Sequence, residues 1–381
     1  MTIKSYPTAY SSVNSPLIWV VYDAHSTDAV TYPNYKYVAE CYINGTLIAT
    51  SRRFQDPTNN FGVFDFSNEI REYINASLPV ISTQLLAKEM GIGQFNIDVQ
   101  IDFKEEYNGT IGGVVATDSV RTFYNHYNGR TNQQTILASL INDALSDRKY
   151  DIDIFLSNDY FFIPYFKTSS GSFSVTITAN STVVKILTAV HNNSIQLLNI
   201  SPRSINASVG SAIIDETTES YIIEVGSNSY NCNLICEPVH TNYPVHFLNK
   251  YGGFETFNFY KAHRQTFEIE RKSYKQLPYT IDGSTGAMNL KNGVVMNEQT
   301  TMFGVRYKEK LKVQSNLLGD SDWQFLEQLI NSPLIYLEDN GTLYPVTISE
   351  SNYEVKQIEI DNYQTLSVEF DFGTTYKTQF R

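Results

Sequence analysis

The sequence has few cysteines and no cluster of positive charge. Among its 381 residues, the three cysteines are Cys41, Cys232 and Cys236, too few for a disulfide framework to be the source of stability. Lys and Arg number 28 against 40 Asp and Glu, the net charge is -12, and no basic run is present. Binding to nucleic acid or to anionic lipid depends on clustered positive charge. We therefore predict no nucleic-acid partner.

Long apolar segments are also lacking. No window approaches the roughly 18 apolar residues of a membrane span, so we expect no membrane insertion. The apolar piece PLIWVVY at 16–22 is short, follows no basic segment and is followed by Asp23, unlike a secretory signal. We therefore expect synthesis in the cytoplasm without an ordinary export signal.

Recognisable catalytic motifs are absent from the sequence. It contains no G-x-S-x-G, H-E-x-x-H or Walker pattern, and GIGQFN at 91–96 lacks the third glycine of a dinucleotide fingerprint. Asp151 and Asp153 share one strand face, as do Glu268 and Glu270, and such carboxylates are usually solvated. We predict no enzyme activity, no catalytic residue and no cofactor.

One group of residues has the side-chain types of a zinc site. Cys232, Cys236, His240 and His246 lie near each other in the sequence. In a strand, however, residues four apart are separated by about 13 Å, too far for one tetrahedral ion. We expect core cysteines and ordinary histidines here, and no metal site.

The sequence is rich in aromatic residues, with 27 Tyr and 22 Phe, which favour strands. We predict a mainly β, multi-domain fold of immunoglobulin- or fibronectin-like β-sandwich modules with a few short helices. The clearest local signal is Asn44-Gly45, the dipeptide that type I′ hairpin turns prefer. A two-residue loop would pair Cys41 with Ile48 and place both on the core side.

We predict three domains. Residues 1–130 form an N-terminal immunoglobulin-like sandwich of roughly seven strands. Residues 131–263 form a second β-rich domain with a leading helix at 133–147, where apolar residues recur at helical spacing. Residues 264–381 form a C-terminal β-rich domain with one helix at 321–331.

Helix boundaries follow from capping signals. Ser321 and Gln324 form a capping box for the C-terminal helix, and Pro333 ends it. Ser67 would cap a short helix in SNEIREYI. A further helical turn is expected in TQLLAKEM at 83–90.

A second hairpin signal occurs in HFLNKYGGFETFNFYKAH at 246–263, where Gly252-Gly253 separates two aromatic-rich arms. Glycine supplies the positive φ that a tight reversal needs. We expect a structural hairpin whose aromatic residues pack a sheet or a neighbouring subunit, because aromatic residues are enriched at protein interfaces. The candidate interface residues are Tyr251, Phe254, Phe257, Phe259 and Tyr260.

Several stretches resemble virion structural proteins of bacteriophages that infect Bacteroidetes. They are NSPLIWVVYD, YKYVAECYINGTLIATSRRFQDPTNNFGVFDFSNEIREYI, VHFLNKYGGFETFNFYKA and DWQFLEQLINSPLIYLEDNGTLYPVTI. The resemblance implies a tail, baseplate or other particle component, made in the bacterial host cytoplasm and located in the virion. It implies other virion proteins as partners and carries over no active-site residue.

Three functional hypotheses follow. The first is a non-enzymatic virion protein that assembles as a homo-oligomer, a ring or trimer. The second is a protein at the tail tip that binds a host surface receptor or glycan, based on the tyrosine content. The third, a polysaccharide-degrading enzyme, depends only on scattered carboxylates such as Asp151, Glu255 and Glu268.

Overall fold

The computed structural model describes residues 1–79, 87–90, 95–125, 143–148, 151–168, 171–190, 194–235, 240–292, 294–318, 320–349 and 365–380. The chain divides into two compact units. Unit 1 comprises Met1–Glu237, Pro244–Asn258 and Ser321–Leu334, and unit 2 comprises Pro238–Tyr243, Phe259–Asp320 and Ile335–Arg381.

The N-terminal part of unit 1 contains eight strands, a 3₁₀ helix and one α-helix. The strands are β1 (Thr2–Ser5), β2 (Ile18–Tyr22), β3 (Lys36–Ile43), β4 (Thr46–Phe54), β5 (Phe61–Asp65), β6 (Ala87–Glu89), β7 (Asn96–Tyr107) and β8 (Thr110–Phe123). The 3₁₀ helix is Ala24–Thr27, and α1 is Ser67–Glu72. One sheet has the order β1-β2-β5 and a second has the order β4-β3-β7-β8.

These two sheets form the first sandwich. Trp19 and Phe64 from the three-stranded sheet meet Tyr37, Ile101 and Phe103 from the four-stranded sheet in one core, each at most 1% exposed. Burial of this apolar surface is the main source of stability. Sheets of three and four strands give this sandwich seven strands, the number in an immunoglobulin constant domain.

The β3–β4 hairpin has the predicted turn. Asn44 and Gly45 have φ of 49° and 77°, as a type I′ turn requires. The predicted pairing of Cys41 with Ile48 is wrong, because a β-bulge next to Cys41 shifts the register and places Ala49 opposite it. Ile48 still packs against the core.

A second set of strands follows in unit 1. These are β9 (Asp143–Ala144), β10 (Ile152–Phe155), β11 (Phe162–Lys167), β12 (Gly171–Ala179), β13 (Thr182–Val190), β14 (Ser194–Asn199), β15 (Ser220–Val225) and β16 (Asn228–Ile235). Together with β6, they form a five-stranded sheet, β10-β16-β15-β12-β13, and a four-stranded sheet, β6-β14-β11-β9. Ile154, Ile177 and Ile223 of the first sheet share a core with Ile163 and Leu198 of the second.

Helix α2 (Pro202–Val209) was not expected from the sequence. Ser201 is its N-cap, and the Ser201 side chain accepts a hydrogen bond from Ser204 N. Pro202 occupies the first helical position, and Gly210 ends the helix with a φ of 77°. All three are ordinary helix-end residues, so the signal was present in the sequence.

The last two segments of unit 1 contain most of β17 (Tyr243–Leu248), of β18 (Phe254–Phe259) and of α3 (Asp320–Ile330). The α3 residue Phe325 packs against Phe247 with ring centroids 5.4 Å apart. The predicted helix at 321–331 is therefore confirmed, but it belongs to unit 1 and begins one residue earlier. Ser321 consequently lies inside the helix instead of capping it.

Unit 2 is built on one antiparallel sheet. Its strands are β19 (His263–Lys275), β20 (Thr280–Ile281), β21 (Met288–Asn289), β22 (Lys291–Asn292), β23 (Val295–Met296), β24 (Thr300–Gln314), β25 (Ile335–Asp339), β26 (Thr342–Ile348) and β27 (Ser367–Phe380). The strands that unit 2 contributes to this sheet have the order β25-β26-β27-β24-β19. Strand pairs β20–β21 and β22–β23 form two small separate sheets.

Two helix predictions are wrong where the structure describes them. Ala87–Glu89 is strand β6 because it pairs with β14, so TQLLAKEM does not end in a helical turn. Asp143–Ala144 is strand β9, so the expected helix at 133–147 does not reach its predicted end, and its earlier part lies outside the described residues. The predicted cap at Ser67 is also wrong, because Phe66 is the N-cap of α1 and Ser67 is its first helical residue.

The mainly β fold with several sandwich modules and few short helices is confirmed. The two hydrophobic cores of unit 1 correspond to the expected domains 1–130 and 131–263, although the two parts belong to one compact unit. The three-domain division itself stays a prediction. Among the described residues, no helix is long and apolar enough to cross a membrane.

The Gly253 backbone is packed so closely that a side chain does not fit. A Cβ atom there would lie 2.6 Å from Pro164 Cγ, whereas one at the exposed Gly113 would meet nothing within 4 Å. We expect Gly253→Ala to lower the free energy of unfolding by about 1–3 kcal/mol through overpacking. Denaturant titration followed by tryptophan fluorescence measures this, because Trp19 and Trp323 both lie in unit 1.

Gly113→Ala is the matched control, and we expect it to leave the unfolding midpoint nearly unchanged. Equal effects of the two substitutions would contradict the close packing of Gly253.

Candidate interaction surface

The predicted interface residues are mostly buried within the chain. Phe254 and Phe259 are 0% and 1% exposed, and Tyr251 is 8% exposed. Phe257 and Tyr260 are half-buried. Phe254 packs edge-on against Phe95, with ring centroids 5.8 Å apart. The hairpin is thus structural, as expected, but the three buried rings are covered by their own chain and are not available to a neighbouring subunit.

The same hairpin holds a buried carboxyl group, that of Glu255, which is 0% exposed. Asn249 Nδ2 donates a hydrogen bond to Glu255 Oε1 at 2.7 Å, and Ser146 Oγ donates one to Oε2 at 3.1 Å. Burial raises the pKa of Glu255 to about 7, although the positive charge of Arg148 and the two hydrogen bonds oppose the shift. The Arg148 guanidinium lies over the Phe325 ring, 4.3 Å from its centroid, and donates to Thr256 O.

A second carboxylate, Asp147, joins this hairpin to helix α3. Tyr251 Oη donates to Asp147 Oδ1 at 2.6 Å, and Gln328 Nε2 donates to Oδ2 at 2.8 Å. Lys250 forms an ion pair with the same carboxylate. Polar groups of the hairpin therefore have partners from the chain itself, which is the usual condition for burying them.

The four candidate zinc ligands do not form a group among the described residues. Cys232 lies in the second core, where burial raises its thiol pKa to about 12. His246 is buried, and its Nδ1 lies 2.8 Å from Thr256 Oγ1. His240 is exposed, and Cys236 lies outside the described residues.

A different group of metal-ligand types is brought together in the first sandwich. Asp23, His25 and Glu105 place one ligand atom each within 4.8 Å of one another. Asp23 caps the 3₁₀ helix that contains His25, and Glu105 lies on β7. Sequence reasoning missed the group because Asp23 and Glu105 meet only through the packing of two sheets. Its one local signal is the Asp-x-His spacing.

The most exposed part of the described structure is residues 263–303, here called the arm. It contains β19, the two small sheets and the beginning of β24. All thirteen residues of β19 are exposed, although a strand in a packed sheet usually buries every second side chain. Both faces of β19 are therefore free of cover from the described parts of unit 2.

The arm carries many exposed apolar side chains. Phe267 and Ile269, at alternate positions of β19, share a face with Tyr307, whose ring centroid lies 5.8 Å from that of Phe267. Other large apolar residues of the arm that are exposed are Tyr274, Leu277, Ile281, Met288, Leu290, Val294, Val295, Met296, Met302 and Phe303. Exposed apolar surface of this extent is typical of a protein-interaction site.

β19 is also the last strand of its sheet. One edge pairs with β24 from His263 to Lys275, and the other edge has no strand beside it in the described structure. An edge strand presents a row of backbone N–H and C=O groups that can pair with another chain. The sequence did not indicate this edge, because strand order depends on long-range pairing.

Two depressions on the described surface are small and open to solvent. One, of about 280 Å³, is lined by residues that include Tyr42, Asp98 and Arg121. The other, of about 190 Å³, lies on the arm and is lined by Tyr274, Gln276, Thr301 and Phe303. Both volumes fall below the roughly 300–1,000 Å³ typical of small-molecule sites.

Comparison with known proteins yields no family. No protein-family model and no curated protein matches the chain. Solved structures that align with it include the I9–I11 tandem of titin, with 10% identity, 81% of this chain and 93% of that chain covered, and a TM-score of 0.15. A 1.5-MDa bacterial ice-binding adhesin aligns at 12% identity, with 80% and 86% covered and a TM-score of 0.15.

Domains 4–9 of the surface layer protein SbsC align at 9% identity, with 92% of this chain and 54% of that chain covered and a TM-score of 0.17. At these TM-scores the alignments carry no argument about the fold or function of this chain.

The raised pKa of Glu255 makes the stability of unit 1 depend on pH. Between its ordinary value of 4.5 and the folded-state value of about 7, the folded protein keeps a proton that the unfolded chain has released. The free energy of unfolding should therefore fall by about 3 kcal/mol as the pH rises through this window. Denaturant titrations between pH 4.5 and 8 measure the free energy of unfolding of the wild type and of Glu255→Gln. The difference between the two proteins at each pH gives the contribution of Glu255.

Glu224→Gln, which removes an exposed glutamate of the same unit, controls for the loss of one charge. A constant difference between wild type and Glu255→Gln across the window would show that Glu255 does not titrate there.

Proposed function

We propose that the protein is a non-enzymatic structural component of a phage particle, of the tail or baseplate, whose copies associate through the arm. The observation that carries the proposal is the exposure of β19 on both faces together with its free edge. Apolar surface of this kind is stabilised when another protein covers it. The placement in a phage particle is supported by the resemblance of the sequence segments to virion proteins.

The charges of β19 favour a second copy of this chain as the occupant of the edge. In the centre of β19, the acidic residues Glu268 and Glu270 precede the basic residues Arg271 and Lys272. If two copies pair antiparallel with Glu270 at the centre, Glu268 of each copy lies opposite Lys272 of the other. If Arg271 is at the centre, Glu270 of each copy lies opposite Lys272. Opposite charges on facing positions of paired strands are stabilising.

The alternative function is binding of a host surface receptor or glycan at the tail tip. The depression beside Tyr274 and Phe303 favours it, because aromatic rings next to the polar side chains of Gln276 and Thr301 suit the apolar faces and hydroxyls of a sugar. In this case the arm would be free in the particle, and the isolated chain would be a monomer.

The first test removes the apolar contact of the arm. We expect the wild-type chain to be a homo-oligomer by native mass spectrometry, and the double variant Phe267→Lys/Ile269→Lys to be a monomer with unchanged circular dichroism. Val30→Lys/Val183→Lys, which changes two exposed apolar residues of unit 1, is the matched control and should remain oligomeric. A monomeric wild type that binds glycans would support the alternative and contradict association through the arm.

The second test uses charge. Glu268→Lys/Glu270→Lys makes the centre of β19 entirely basic, and Arg271→Glu/Lys272→Glu makes it entirely acidic. We expect each variant to associate more weakly than wild type and an equal mixture to form mixed oligomers, since only the mixture pairs opposite charges. One of the two variants is labelled with ¹⁵N, so that native mass spectrometry distinguishes the mixed species by mass. If the mixture shows no preference for mixed species, the β19 edge is not the contact between copies.

A further inference from the structure

The group of Asp23, His25 and Glu105 has the dimensions of a metal site. His25 Nδ1 lies 3.3 Å from both Glu105 carboxylate oxygens and 3.4 Å from Asp23 Oδ1. In a tetrahedral zinc site with bonds of about 2.0–2.1 Å, neighbouring ligand atoms are separated by about 3.3–3.4 Å. His25 Nδ1 therefore lies at the zinc spacing from both carboxylates, and the ligand atoms of Asp23 and Glu105 lie within 4.8 Å of each other.

The ligands are held in place by their surroundings. Asp23 is 6% exposed, and its Oδ1 accepts a hydrogen bond from His25 N at 2.9 Å while its Oδ2 pairs with the amino group of Met1. The His25 ring stacks on Tyr32 with centroids 4.1 Å apart, and Tyr107 contacts Tyr32 edge-on at 5.1 Å. Because these contacts already hold the ligand side chains in position, metal binding restricts their motion less.

A second observation at the same place is a buried hydroxyl group beside the carboxylates. The Tyr35 side chain is 5% exposed, and its hydroxyl forms no hydrogen bond of ordinary geometry among the described residues. Burial first, then the charges of Glu105 and Asp23, and also a contact of the hydroxyl with the Glu105 carboxylate raise the pKa of Tyr35 well above its usual range, so the hydroxyl lies near both carboxylates. Buried polar groups are normally hydrogen-bonded, and a metal-bound water would give this hydroxyl a partner of ordinary hydrogen-bond geometry.

We propose that Asp23, His25 and Glu105 bind one Zn²⁺ ion, with a water molecule near Tyr35 as a further ligand. Zn²⁺ accepts nitrogen and carboxylate ligands in tetrahedral sites. Ca²⁺ takes six to eight oxygen ligands and Mg²⁺ demands an octahedral site, and this group offers two carboxylates and an imidazole. The half-exposed His25 ring, 44% exposed, leaves the ion a route to solvent.

The ion would stabilise the first sandwich by linking its two sheets. Asp23 follows β2 of the three-stranded sheet, and Glu105 belongs to β7 of the four-stranded sheet. A ligand that binds only the folded state raises its stability in proportion to the logarithm of its concentration. The zinc site and the arm share no residue, so the zinc proposal is tested separately from the proposed function.

The test is zinc titration of the chelator-treated full chain, produced without a histidine tag, by isothermal titration calorimetry. We expect one Zn²⁺ per chain and a higher unfolding temperature with zinc. Loss of a residue that only orients a metal ligand weakens metal binding roughly 10–100-fold. His25→Ala and Glu105→Gln each remove a ligand, so they should weaken zinc binding by more than this. Tyr35→Phe should fall within that range.

His263→Ala is the matched control, because His263 is an exposed histidine of unit 2, and it should leave zinc affinity unchanged. The site is overturned if wild type binds no zinc, if His25→Ala binds as well as wild type, or if Ca²⁺ or Mg²⁺ binds more tightly. Circular dichroism of each variant separates lost binding from lost folding. A variant that fails to fold is replaced by His25→Gln, which keeps the position polar and lacks the imidazole.

Discussion

The close approach of the Gly252-Gly253 backbone to its neighbours is the constraint on which unit 1 depends. A Cβ atom on Gly252 would lie 2.6 Å from Tyr124 O, at the end of the first sandwich, and one on Gly253 would overlap Pro164 of the second. The hairpin therefore lies between the two sandwiches at backbone contact distance. Helix α3 and the carboxyl group of Glu255 are arranged around this point, so the two cores behave as parts of one compact unit.

Two aromatic-rich parts of the chain, around β18 and along β19, differ in their exposure to solvent. Around β18, rings and polar groups are buried and their hydrogen bonds come from the same chain, as Asn249 and Glu255 illustrate. Along β19, Phe267 and Ile269 face solvent. Aromatic composition alone does not distinguish these settings, because it reports strand preference and not what covers the strand.

Local signals in the sequence predicted local structure well. The Asn44-Gly45 turn and the helix near 321–331 depend on nearby residues and are confirmed. Helix α2 could also have been predicted from Ser201 and Gly210. Strand β6, the bulge beside Cys41 and the free edge of β19 could not, because each depends on pairing with distant segments. The Asp23, His25 and Glu105 group was missed for the same reason.

The order of segments along the chain has a consequence for biosynthesis. Unit 1 is interrupted by two stretches of unit 2 and is completed by Ser321–Leu334. A nascent chain emerges from its N-terminus, so the two sandwiches leave the ribosome long before the helix that packs beside Phe247 exists. Until then, the apolar surface that α3 covers is open to other chains. Translation of the whole arm falls within this interval, which gives chaperones a defined period in which to act.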